Sequence, residues 1–195
     1  MKTRFLTTVC ALLTLAVPLG GCSAGAEKAP KKEVGIQLYS VRSLIGAFGN
    51  NQEDYKPVLK QLADMGYTSV EAASYKDGKI YGQTPEQFRK DVEEAGMKVL
   101  STHCTINLSD EELAAGDFSK ALAWWDECIA AHKAAGAEYI VVPSMRKVST
   151  LEELATYCRY FNEVGARCKA AGLKFGYHNH SREFEKIEDR VMLDY

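Results

Sequence analysis

The sequence carries no excess of basic charge: 24 Lys and Arg stand against 26 Asp and Glu, for a formal net charge of -2, with the two signs interspersed. Without a basic stripe there is nothing to neutralise a phosphate backbone, which argues against nucleic acid as a partner. No GxGxxG or GxxxxGK[ST] loop occurs, and the first strand-like run leads instead into QLYSVRSLIGAFGN, which argues against a nucleotide-binding open sheet. The cysteines show no CxxC or zinc-ribbon spacing, so the common small zinc modules drop out. The apolar run FLTTVCALLTLAV near the N-terminus is too short to span a bilayer comfortably. What is present, 46% hydrophobic and 26% charged residues over 195 positions, is the composition of one globular domain.

The N-terminal run follows Lys2 and Arg4 and has the length of a signal-peptide apolar core. It ends in Leu19-Gly20-Gly21-Cys22, which resembles a bacterial lipobox; the alternative is an ordinary secretory signal with an incidental cysteine. Residues 1–21 are therefore expected to be an export signal and Cys22 a lipidation site, with membrane contact through the lipid anchor only. This places the protein in the cell envelope, facing the periplasm or the cell surface. Residues 22–33, rich in small and charged side chains, cannot bury a core and are expected to act as a tether. Cys10 leaves with the signal, so Cys104, Cys128, Cys158 and Cys168 remain as buried or half-buried residues whose pairing the spacing does not determine.

In residues 34–195 one unit recurs. ADMGYTSVE, EEAGMKVLS, KAAGAEYIV and KAAGLKFGY each place a helix tail, a glycine (Gly66, Gly96, Gly136, Gly172) and a short apolar run in the same order. Glycine just past a helix end takes the left-handed conformation that closes the last turn, after which the chain enters a strand. The pattern predicts strands near Val34–Tyr39, Thr68–Ala72, Lys98–His103, Glu138–Val142 and Leu173–Tyr177. It predicts helices near Glu53–Met65, Pro85–Ala95, Phe118–Ala135 and Leu151–Ala171. Thr84, and Ser149 or Thr150, stand where helix N-caps belong. Alternating strands and helices imply an α/β fold with a parallel sheet, either doubly wound or closed as a (β/α)8 barrel. The missing phosphate loop favours the barrel.

Barrel chemistry collects at the C-terminal strand ends. Those ends carry Gln37 and Tyr39, Glu71, His103, Ser144, and then His178, Asn179 and His180 with Glu183 and Glu185 close behind. Gln37 and Glu71 are otherwise satisfied polar residues in a packed layer, and His103 a strand cap. Two imidazoles two residues apart point to one side of an extended segment, a setting for a divalent metal or a polar substrate. His132, on a helix, is expected at the surface or helix end, where its charge would complement the dipole.

GIQLYSVR (Gly35–Arg42), Glu71 in SVEAA, His103 and GYHNHSREFE (Gly176–Glu185) together resemble the xylose isomerase-like TIM barrels known as sugar phosphate isomerases or epimerases. The resemblance extends over nearly all of Val34–Asp194. It implies a (β/α)8 barrel with a divalent metal such as Mn2+ or Mg2+, and proton transfer next to the carbonyl of a sugar or keto-sugar. It also implies roles: His178, His180 and Glu183 as catalytic groups, Glu183 as metal ligand, and Gln37, Glu71, His103 and Asn179 as substrate-binding groups. Keto-sugar dehydration on the same barrel, or lipid-anchored carbohydrate binding without catalysis, are the alternatives. An endonuclease branch shares the barrel but is disfavoured by the charge balance and the export signal.

Only five strand units occur where a barrel of this kind takes about 250 residues. The 195 residues are thus expected to be the N-terminal part of a barrel, ending in RVMLDY at the opening turn of a fifth helix, inactive alone and with an uncovered parallel edge. The N-terminal reading has a direct check by cell fractionation. Cys22→Ala is expected to release the protein from the membrane fraction, and an unchanged distribution would end the lipidation reading.

Overall fold

The computed structural model describes residues 32–48, 50–51 and 54–195, so residues 1–21 and Cys22 lie outside the described residues. Residues Glu33–Tyr195 form one unit. Its centre is a parallel sheet of β1 (Gly35–Gln37), β2 (Ser69–Ala72), β3 (Lys98–His103), β4 (Tyr139–Val142) and β5 (Lys174–Tyr177), lying side by side in sequence order. A doubly wound sheet reverses its strand order at a switch point. The unbroken order here is instead that of a barrel arc, and the fold is a partial TIM-barrel-like one.

Between the strands run α1 (Lys56–Asp64), α2 (Pro85–Glu94), α3 (Ser119–Ala134) and α4 (Leu151–Ala170), each packed on the next. Their apolar spacing explains the docking: Leu59 and Leu62 on α1, Phe88 and Val92 on α2, Trp125 and Ile129 on α3, and Tyr157, Tyr160 and Val164 on α4 are buried at helical intervals. Thr84 and Thr150 are the caps, their hydroxyls accepting from the backbone N–H of Gln87 (3.2 Å) and Glu153 (3.1 Å). Outward from the strands, Val70, Val99, Ile140 and Val142 meet this helical layer and are buried.

The recurring glycine does the same thing four times. At α3 the Gly136 N–H donates to the Lys133 carbonyl (3.0 Å) and Ala137 N–H to that of His132 (3.1 Å), with Gly136 at φ 76°. The same pair of bonds closes the helices ahead of Gly66, Gly96 and Gly172, all at positive φ. Each satisfies two orphan carbonyls and turns the chain into the next strand.

Several expected boundaries move. The first strand ends at Gln37 because Leu38–Val41 wind into a 3-10 turn that leads to a short helix, Arg42–Ile45. The first long helix starts at Lys56, and Glu53 lies outside the described residues. RVMLDY is not a helix opening: Lys186–Ile187 pairs antiparallel with Arg190–Val191, and a 3-10 turn, Met192–Asp194, follows. Glu188 and Asp189 are both at positive φ (48° and 67°), the twist that a two-residue hairpin requires, and burial of Ile187 and Met192 anchors it. His132 is also not at the surface. It is fully buried against Tyr75, with ring centroids 4.7 Å apart, and burial lowers its pKa to about 4 despite the carbonyl of Cys128 beside it, so it is neutral.

Candidate active site at the strand ends

Parallel pairing places Gln37 opposite Glu71, and Glu71 opposite Ser101 after a register shift between Val70 and Glu71. Three polar side chains from three strands therefore stand at one level on one face of the sheet. His103, two residues beyond Ser101, projects from the same face one step higher. The contacts follow from this placement. Gln37 Nε2 donates to Glu71 Oε1 at 2.6 Å, His103 Nε2 lies 3.0 Å from the same oxygen, and the Ser101 hydroxyl donates to Glu71 Oε2.

A half-buried carboxylate would ordinarily be raised in pKa. Burial does push Glu71 upward, but the bonds from His103, Ser101 and Gln37 outweigh it and hold the carboxyl at about 2. Glu71 is thus an anion at neutral pH and no proton donor. Its effect is positional: the carboxylate oxygen fixes Nε2 of His103 as a donor nitrogen and so sets the orientation of the ring. Ser101, hidden in the apolar run KVLSTH, carried no sequence signal of this part except its alternation with His103.

The fifth strand supplies the other wall. The ring of His178 lies 5.2 Å from that of His103, and the ring of His180 4.8 Å from that of His178. Glu183, almost fully buried on the 3-10 turn Arg182–Phe184, accepts from the Tyr177 hydroxyl (Oε1, 2.7 Å) and from the His180 backbone N–H (Oε2, 2.7 Å). Burial raises its pKa, yet these two donors with Arg182, 3.7 Å away, lower it on balance, while Tyr177 is pushed up to about 12 by burial and by the carboxylate. Arg182 is itself held by Nη2 donating to the Met145 carbonyl at 2.5 Å.

These groups line a pocket of about 520 Å³, within the usual size range for small-molecule sites. Gln37, His103, His178, His180 and Glu183 face it, while Glu71 lies behind Gln37 and His103. Asn179 is exposed and is not among the lining residues. Tyr39 and Phe48, rings 5.3 Å apart, form an apolar side of the mouth. Phe48 and Arg182 were not singled out by sequence pattern, because the two-residue strand Gly46–Ala47 ahead of Phe48 and the 3-10 turn that holds Arg182 are too short to leave a periodic signal. A cleft of about 610 Å³ between the short helix Asp110–Ala115 and α4 is slightly larger. Its Arg146 and Asp110 already pair at 2.7 Å, and it lies away from the strand ends, so the smaller pocket is the candidate site.

An arc of parallel β/α units with polar groups converging at the strand C-termini is the arrangement of the TIM-barrel fold. The chain belongs to the xylose isomerase-like TIM barrel family, whose model matches residues 59–190. Among solved structures it is similar to a sugar phosphate isomerase/epimerase from Parabacteroides distasonis ATCC 8503, with 28% identity, TM-score 0.71, and coverage of 84% of this chain and 63% of that one. A second protein of that name and organism has 26% identity and TM-score 0.66, covering 85% and 57%. A more distant fold match is the IOLI protein with a binding zinc atom, at 12% identity, TM-score 0.53, covering 75% and 51%. The chain thus spans about three fifths of the length of the first two structures. No curated protein matches the chain.

The depressed Glu71 has a thermodynamic consequence with a definite sign. Its folded pKa lies below the unfolded value, so its contribution is complete above about pH 5 and is lost as pH falls toward 2. Glu71→Gln is expected to cost up to roughly 3 kcal/mol at pH 7 and roughly half that at pH 3. Urea unfolding at the two pH values measures this, and an equal loss at both would contradict the assignment.

Proposed function

We propose that the strand-end pocket binds a sugar or keto-sugar and moves a proton on the carbon next to its carbonyl, as part of a metal-dependent isomerase or epimerase. The observation that carries this reading is the run of three imidazoles, His103, His178 and His180, along one pocket wall, with the first oriented by an ionised Glu71. Imidazole is the side chain best suited to exchanging protons near neutral pH. In this reading His178 and His180, exposed at the mouth, give and take the proton, while Gln37 and His103 hold hydroxyls of the sugar. The aromatic side made by Tyr39 and Phe48 covers the less polar face of the ring and excludes water. Asn179 reaches the substrate only if the extended segment turns it inward. Family membership and the named isomerase/epimerase neighbours support the reaction class.

Glu183 fits a metal ligand in its chemistry: it is ionised, and each oxygen keeps a lone pair after one accepted bond. Among the described residues, no three potential ligand atoms converge at this pocket, so Glu183 would contribute one ligand of a set. A divalent ion such as Mn2+ or Mg2+, when bound, would polarise the substrate carbonyl and lower the cost of removing the neighbouring proton. Catalysis is proposed for a protein with eight β/α units, and the five units alone are expected to be inactive. Export through residues 1–21 and anchoring at Cys22 belong to the same proposal, with the site outside the cytoplasm.

The test is isotope incorporation. An eight-unit protein carrying this segment, incubated with Mn2+ and a panel of keto-sugars in D2O, is expected to place deuterium on the carbon beside the carbonyl of at least one. Glu183→Gln should lower Mn2+ affinity at least tenfold and abolish exchange. Sugar binding without any exchange would favour a carbohydrate-binding protein, and unchanged Mn2+ affinity would remove Glu183 from the ligand set.

A further inference from the structure

Behind the pocket wall lies a group of reactive side chains that the proposed chemistry does not use. Cys104 follows His103 directly, at the point where β3 ends, and Cys128 sits inside α3 with His132 one turn further on. The sulfurs of Cys104 and Cys128 are 3.0 Å apart, and Cys128 Sγ lies 3.3 Å from His132 Nδ1. All three residues are buried, in a core built by Trp125, Ile140 and Cys168.

A soft metal ion and a disulfide are the two uses such a cluster could have, and the geometry separates them. A tetrahedral zinc ion about 2.3 Å from each thiolate would hold the two sulfurs about 3.8 Å apart, wider than the 3.0 Å found here. The imidazole nitrogen nearest the sulfurs is also committed. His132 Nδ1 donates to the Cys128 carbonyl at 2.6 Å, so the nitrogen nearest the sulfurs carries its proton and offers no lone pair. The thiols, by contrast, face each other directly, from positions 24 apart in the sequence.

We infer that Cys104 and Cys128 are a disulfide pair that closes when the chain folds under oxidising conditions, tying the end of β3 to the middle of α3. The oxidant required is a disulfide of another thiol, RS–SR. The thiolate of one cysteine attacks it, the RS–SR bond breaks, and RS⁻ leaves and takes a proton. The second cysteine then attacks the protein sulfur of the mixed disulfide, the new S–S bond forms, and a second RSH leaves. Two protein thiols are oxidised and the reagent disulfide is reduced to two thiols. Burial keeps the Cys128 thiol protonated in the folded chain, so closure belongs to the stage before α3 docks. All four described cysteines are free thiols in the structure, and under the inferred pairing Cys158, half-buried on α4, and Cys168 stay as thiols. The bond would pin the segment bearing His103 against the helix behind it and leave the pocket groups untouched.

The experiment is to refold the full chain in oxidised and reduced glutathione, denature it in N-ethylmaleimide, and digest with trypsin. Cys104 and Cys128 then fall on separate peptides, Val99–Lys120 and Ala121–Lys133. The expected result is one linked species, lighter than the sum of the two peptides by two hydrogens, which persists in Cys158→Ser. Cys104→Ser should leave Cys128 fully alkylated. Recovery of both peptides carrying N-ethylmaleimide, linkage of either cysteine to a different one, or zinc retained one to one by the unoxidised pair would each overturn the inference.

Discussion

The site is organised around one interaction, the Glu71 carboxylate with its three donors. An ionised carboxyl in a half-buried sheet is costly unless its oxygens are satisfied, and here the satisfaction comes from neighbouring strands on both sides. Gln37 belongs to β1 and Ser101 and His103 to β3, so the carboxylate is held only when all three strands are in register. A slip of one residue would turn Glu71 toward the helices and its donors away from it. The same contact that binds the first three strands also orients His103 toward the pocket. Stability and site geometry therefore rest on the same atoms.

How much of this could be read in advance depended on periodicity. Each long helix ends in glycine followed by a short apolar run, and those junctions place four of the five strands because the backbone bonds at Gly66, Gly96, Gly136 and Gly172 are local and repeat. The polar strand ends were legible for a related reason: Glu71 and His103 interrupt runs that would otherwise be wholly apolar. Ser101 was not, since a serine in a strand is unremarkable until register sets a carboxylate opposite it. The hairpins at Tyr75–Ile80 and Lys186–Val191 were also missed, being only two residues a side with their information in turn dihedrals. His132 was misplaced because a polar residue near a helix end ordinarily faces water, and only packing against Tyr75 reveals it as core.

The family assignment and the geometry speak to different levels. Membership in the xylose isomerase-like TIM barrels accounts for the strand order, the helical layer and the location of the pocket. It does not by itself say which side chains act, and fold alone never does. What points to proton handling is local: imidazoles from β3 and from the segment after β5 at one wall, a carboxylate behind the first, and a second carboxylate buried beside the last. The described strands form an arc whose outer members, β1 and β5, each have a single partner in the sheet. The pocket lies at the C-terminal ends of those strands.

The measurement that bears most directly on this account is a carbon-13 NMR titration of the Glu71 side-chain carboxyl between pH 3 and pH 6 in the folded protein. With three donors in place the carboxyl stays ionised throughout, and its chemical shift should hold nearly level over most of the range, bending only at the acid end toward a pKa of about 2. A sigmoid centred near the ordinary glutamate value would mean that Gln37, Ser101 and His103 do not converge on Glu71, and the site described here would not exist in that form.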